Sequence, residues 1–116
     1  MPADNLQRFR DELAAWEEHL QADEWHFVHL REQIVKELSP QAAFALINEV
    51  VPLLLEQKDD FGKSESGALL LALAGRADTS ELPPTLAARW DEVVAWLAPD
   101  REVLTELGRW YRKPAA

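Results

Sequence analysis

Three observations predict an all-α fold. Apolar residues recur at alternating spacings of three and four, as in Leu6, Phe9, Leu13, Trp16 and Leu20. No segment alternates polar and apolar residues over the length of a strand. Prolines and capping residues divide the chain into helix-sized pieces. Together they predict five to six antiparallel helices in a compact bundle or helical-hairpin array.

The first helix carries its apolar seam from Leu6 to Leu20, with Asp4 and Gln7 placed as a capping box at its start. Asp4, Asp11 and Glu18 fall seven apart on the opposite face, flanked by Glu12 and Glu17. The apolar pattern resumes through Trp25, Val28, Ile34, Val35 and Leu38 without an intervening glycine or proline. One helix of about 35 residues would run about 52 Å, too long for a compact domain of this size. A break is therefore expected near Ala22–Glu24, with Asp23 as a cap.

Ser39-Pro40 supplies an N-cap followed by proline at the first helical position. The next helix runs through Phe44, Leu46, Ile47 and Val50, and Pro52 should kink or restart it. The polar stretch Gln57–Ser66 reads as a loop, with Ser64 capping the helix beyond. Gly67–Arg76 is apolar on nearly every side, which predicts a central helix, with Gly75 weakening its end. A second loop spans Ala77–Pro84. A helix over about Thr85–Ala98 points Leu86, Trp90, Val93, Val94 and Leu97 inward. Pro99 stops it, and Asp100 caps the last helix, whose apolar residues are Val103, Leu104, Leu107, Trp110 and Tyr111.

The chain of 116 residues is expected to form one helical domain, 1–116, with unordered ends at about 1–3 and 113–116. A domain of this size buries roughly 65% of the surface exposed by its unfolded chain, enough for a core without metal or disulfide. There is no cysteine, which removes disulfide frameworks, thiol catalysis and the common structural zinc sites. The longest apolar run, Ala68–Ala74, is far short of the roughly 20 residues that a membrane helix needs. The first residues carry no basic cluster and no apolar run, so no secretory signal is expected there. A cytoplasmic protein is expected, and the heavy use of Ala, Leu and Arg suggests a bacterial source.

Residues 50–76, VVPLLLEQKDDFGKSESGALLLALAGR, resemble one HEAT-type helical hairpin: a proline-kinked first helix, a charged loop, then an Ala/Leu-rich second helix. The valine-arginine pair expected at the start of such a second helix is absent, with Ser66-Gly67 near that place. The resemblance covers under a quarter of the chain. It implies stacked helix pairs and a protein-binding scaffold.

No catalytic motif accompanies these elements. There is no Gly-x-x-x-x-Gly-Lys loop and no Gly-x-Gly-x-x-Gly. Ser39 and Ser64 read as caps, while Ser66 and Ser80 lie in or beside loops. His26 and His29, three apart on a helix, could turn toward one cation with Asp23 and Glu32 on the same stripe. A di-metal carboxylate bundle would need paired Glu-x-x-His motifs, and only Asp23-x-x-His26 comes near. A solvated or half-buried helix face is the simpler reading, so no metal, cofactor or catalytic residue is assigned. Arg109, Arg112 and Lys113, beside Trp110 and Tyr111, read as cations favoured by a helix C-terminus.

The strongest functional signal is electrostatic. Twenty-one acids against twelve lysines and arginines give a net charge of -9, which repels nucleic acid and anionic membranes and attracts basic protein surfaces. Between Asp4 and Glu24 there are seven acids against two arginines. Five tryptophans accompany this charge. Trp16 and Trp90 occupy inward positions, while Trp25, Trp96 and Trp110 lie toward the flanks of their apolar faces. The expectation is a non-enzymatic interaction protein that binds a basic partner, in its most concrete form a bacterial antitoxin or immunity protein facing a toxin. The candidate partner-binding residues are Asp11, Glu12, Glu17, Glu18, Trp25, Asp59, Asp60 and Phe61. Phe61 reads either as a lid over the core or as an anchor. Two alternatives are a homodimer paired through the seam of the first helix, serving as an adaptor or structural subunit, and a small metal binder or enzyme built around His26 and His29.

Overall fold

A computed structural model describes the backbone of residues 2–114 and the side chains of residues 5–114. Among these, eight helices and no strand are found. They are α1 (Pro2–Ala14), α2 (Trp16–Ala22), α3 (His26–Lys36), α4 (Pro40–Glu56), α5 (Asp60–Ala77), α6 (Pro84–Ala88), α7 (Trp90–Trp96) and α8 (Arg101–Tyr111). The Cα radius of gyration is 13.2 Å, matching the roughly 13 Å expected of one compact domain of this length. The all-helical fold class agrees with the sequence, and the helix count exceeds the expected five to six.

The extra helices come from two interruptions at ordinary residues. Ala15 (φ −120°, ψ 37°) separates α1 from α2, and Arg89 (φ −117°, ψ 20°) separates α6 from α7. Neither is glycine or proline, and each immediately precedes a tryptophan. Trp16 stacks on Phe61 at 4.4 Å between centroids, while Trp90 is buried and donates its indole N–H to the Pro114 carbonyl at 3.2 Å. Placing a large ring against the core sets the chain direction there and overrides local propensity. The region 4–38 thus holds three helices.

The expected break at residues 22–24 is present. Asp23 accepts the Trp25 amide at 3.0 Å, so its carboxylate holds the turn that launches α3. Helix α1 begins at Pro2, which puts Asp4 inside its first turn rather than ahead of it. The Asp4 side chain lies outside the described residues, as do Met1, Ala115 and Ala116, on which part of the expected unordered ends falls.

Ser39 caps α4 as expected, its Oγ accepting the Ala42 amide at 3.1 Å with Pro40 in the first turn. Helix α4 runs on through Pro52, which is exposed, while Val50, Val51, Leu53 and Leu54 are buried. The expected loop Gln57–Ser66 is a correction: only residues 57–59 are non-helical. Asp59 rather than Ser64 caps α5, its Oδ1 accepting the Gly62 amide at 2.6 Å. Ser64 is inside α5 and donates to Asp100 Oδ2.

Helix α5 is the axis of the molecule, packed against α4, α8 and α3. Leu69, Leu70, Leu73 and Ala74 are fully buried on it, consistent with a sequence that is apolar almost all round. The α1 seam Leu6, Phe9 and Leu13 is buried as well, as α1 packs on α3 and α4. That burial places Leu6, Phe9 and Leu13 inside the fold, with Trp16 and Leu20 of the same seam partly buried. Side chains then tie helix ends to the core. Asn48 Oδ1 accepts the Thr85 amide at 2.9 Å, Arg76 Nε donates to the Leu38 carbonyl at 2.6 Å, and Asp100 accepts the Val103 amide at 3.1 Å. Among the described residues, no helix is long and apolar enough to cross a membrane.

Two glycines of α5 test this packing in opposite directions. A methyl on Gly67 would lie 2.7 Å from Leu97 Cδ2 and 3.0 Å from Val103 Cγ1, both held in the packed α5–α8 side of the core. Gly67→Ala should therefore cost about 1–3 kcal/mol through overpacking. A methyl on Gly75 meets nothing within 4 Å. Gly75→Ala should add about 0.5–1 kcal/mol by reducing the freedom of the unfolded chain. Urea unfolding of both variants measures the two signs.

Candidate functional site

Several of the acidic residues lie on α1, α2 and the turn into α3. Asp11, Glu17, Glu18, Asp23 and Glu24 are all exposed. The break at Ala15 turns the chain between Asp11 and Glu18, so the stripe read from their spacing is carried by two helices rather than one. At the α2–α3 turn stands Trp25, 56% exposed, the one large hydrophobic residue exposed among those described. Its backbone is held by Asp23, so the ring projects from a fixed turn. An exposed indole on a braced, anionic corner is suited to burial against a partner.

The other tryptophans are engaged internally. Trp96 donates to the Gln57 carbonyl at 2.9 Å and Trp110 to the Thr79 carbonyl at 3.0 Å, each pinning a loop. Lys63 Nζ lies 4.2 Å from the centre of the Trp96 ring. Phe61 is half-buried, stacked on Trp16 and edge-on to Phe27 at 5.4 Å, so its ring serves as the lid that the sequence offered as one alternative. This stack sets the start of α5, with exposed Asp59 and Asp60, beside the start of α2, with Glu17 and Glu18. Asp59 is partly occupied as the cap of α5.

Glu12 differs from the other candidates. Its side chain is only 15% exposed, and both carboxylate oxygens are taken: Oε2 by Arg8 Nε at 2.6 Å and Oε1 by His26 Nε2 at 2.7 Å. The His26 ring is stacked on His19 at 4.4 Å, tilted by 9°. Phe27 closes the back of the pair, edge-on to both imidazoles. His26 is half-buried and His29 exposed, and the two do not turn toward one point. His29 points to Asp23 instead, 3.8 Å away and exposed, and Glu32 is exposed on the same helix. The spacing of three placed His26 and His29 on neighbouring positions, but the turn at residues 23–25 folds α2 back and brings His19 to His26.

A second polar cluster lies inside the fold, where the sequence suggested a loop. Glu65 on α5 and Arg31 on α3 approach to 3.6 Å, close enough for charge attraction and too far for a hydrogen bond. Burial pushes the Glu65 carboxyl above its ordinary value near 4.5; Arg31 opposes the shift and Asp100 reinforces it. Ser66 Oγ is fully buried without a hydrogen-bond partner among the described residues. At the opposite end of α5 an open groove of about 520 Å³ runs beside α8, lined by Asp78, Glu106, Arg109, Trp110 and Arg112. Its charges are mixed, and Arg109 is paired with Glu106 at 2.9 Å.

The Glu65 shift has a definite sign. A carboxyl raised in the folded state stabilises the fold below its unfolded pKa, and that contribution is lost as pH rises through the folded value. Glu65→Gln removes the titration. The stability of the native protein relative to this variant should fall as pH rises above the ordinary carboxyl value near 4.5. Paired urea titrations across that range check it, and a difference that grows in favour of glutamate contradicts the assignment.

Compared with known proteins, the chain matches no family model, no curated protein and no solved structure.

Proposed function

We propose that this protein is a non-enzymatic binding module whose acidic corner takes a basic protein surface. The observation that carries the reading is Trp25: one exposed indole on a turn whose backbone is held by Asp23, with Glu17, Glu18, Asp23 and Glu24 exposed on the adjoining chain. The charge provides long-range attraction, speeding encounter with a cationic partner at low ionic strength. The indole provides the anchor, since a few aromatic residues carry most of the energy of such contacts. Asp11 adds to the field from α1, and Asp59 and Asp60 add to it from the start of α5. Glu12 and Phe61, engaged within the fold, support the surface from beneath. An antitoxin or immunity protein that covers the basic cleft of a toxin is the most concrete form of this role.

The division of labour sets the test. Trp25→Ala should leave thermal stability unchanged within about 0.5 kcal/mol, because the ring is exposed. It should weaken capture of the basic partner by more than tenfold, as expected of an anchor worth about 2 kcal/mol. Glu17→Gln combined with Glu18→Gln should slow association and flatten its salt dependence. Surface-plasmon measurements on the captured protein at low and high salt separate the two effects. Equal capture by the native and Trp25→Ala proteins would sink the proposal.

A further inference from the structure

We infer that Glu12, His19 and His26 form a binding site for a divalent transition-metal ion of the zinc class. Three different helices each deliver one ligand: α1 the carboxylate, α2 and α3 the imidazoles. One donor atom from each lies within 4.8 Å of the others. A tetrahedral zinc ion, with bonds of about 2.0–2.2 Å to nitrogen and oxygen, holds its donors roughly 3.4 Å apart. Closing the three donors onto an ion therefore needs movements on the order of an ångström and a tilt of the two near-parallel imidazoles so that their in-plane lone pairs converge, changes that side-chain torsions supply.

The chemistry of the donors selects the ion. Two imidazoles and one carboxylate suit zinc and its neighbours in the first transition row, whereas magnesium and calcium require oxygen ligands. The contact of 2.7 Å between His26 Nε2 and Glu12 Oε1 is a hydrogen bond through one proton, which the ion would replace. Arg8 holds the other carboxylate oxygen, orienting Glu12 so that Oε1 faces the histidines. Phe27 stands edge-on to both rings, at 6.3 Å from His19 and 5.0 Å from His26, and gives the site an apolar back wall. The front remains open, with the His26 side chain 22% exposed, so an ion has an entry path and a fourth position for water.

The site also supplies something the fold lacks. Helix α2 has seven residues and none of them is fully buried, so few contacts hold it. An ion bound by His19 would fasten α2 to α1 and α3 and stabilise the folded chain by mass action.

The test uses the full chain without a histidine tag. Zinc titration followed by calorimetry should show one equivalent bound and a higher melting temperature. His19→Ala and His26→Ala should each lower zinc affinity at least tenfold, while His29→Ala should leave it unchanged. In the native protein, zinc should shift the imidazole NMR signals of His19 and His26 and spare that of His29, a readout independent of whether any variant folds. Cobalt in place of zinc should give the intense visible absorption of a tetrahedral site. No stoichiometric binding, or equal shifts at all three histidines, overturns the inference.

Discussion

The burial of α5 is the constraint from which the rest of the structure follows. A helix that is apolar on nearly every side must be covered on several faces, and here α3, α4 and α8 provide the cover. Gly67 permits the closest approach, because Leu97 and Val103 occupy the space that any side chain there would take. Covering one central helix from a short chain requires the surrounding helices to be short and sharply turned. That requirement explains why α1–α2 and α6–α7 are broken at Ala15 and Arg89, where no glycine or proline demands it.

Such packing leaves charge only one place to go. Burying the seams of α1, α4 and α5 presses the acids outward, and the turns at residues 15 and 23–25 concentrate several of them at one corner. Glu12 and Glu65, both partly withdrawn from water, each acquire an imidazole or cationic partner from another helix, His26 for the first and Arg31 for the second. A carboxylate removed from water without such partners would be costly. The same corner carries both the exposed indole and the Glu12–His19–His26 cluster, so rigidity at the cluster bears directly on how firmly Trp25 is presented.

Much of this was legible in the sequence where a local interaction decides the structure. Ser39 and Asp100 cap their helices by bonds to amides three residues on, and each was readable from those few residues. The inward positions of Leu86, Trp90, Val93 and Leu97 followed from spacing even though the helix bearing them is split. What the sequence hid depends on partners distant along the chain. The polar run KSES looked like a loop because its counterparts, Arg31 and Asp100, lie more than thirty residues away in either direction. The flanking positions of Trp25, Trp96 and Trp110 do not tell which ring is exposed, since the last two are tied to carbonyls of distant loops, and the meeting of Glu12, His19 and His26 depends on two turns that no proline or glycine marks. A seven-residue recurrence, Glu12, His19 and His26, was present as a possible signal, hidden by the more familiar spacing of His26 and His29.

Native-state hydrogen exchange tests the central claim most directly, namely that a fully covered α5 organises the molecule and leaves the α1–α3 corner at its margin. The amides of Leu69–Ala74 should exchange only through global unfolding, with protection equal to the full stability of the domain. Those of α2 should exchange through local opening at far lower free energy. Protection of α2 equal to that of α5, or rapid exchange within Leu69–Ala74, would contradict the account.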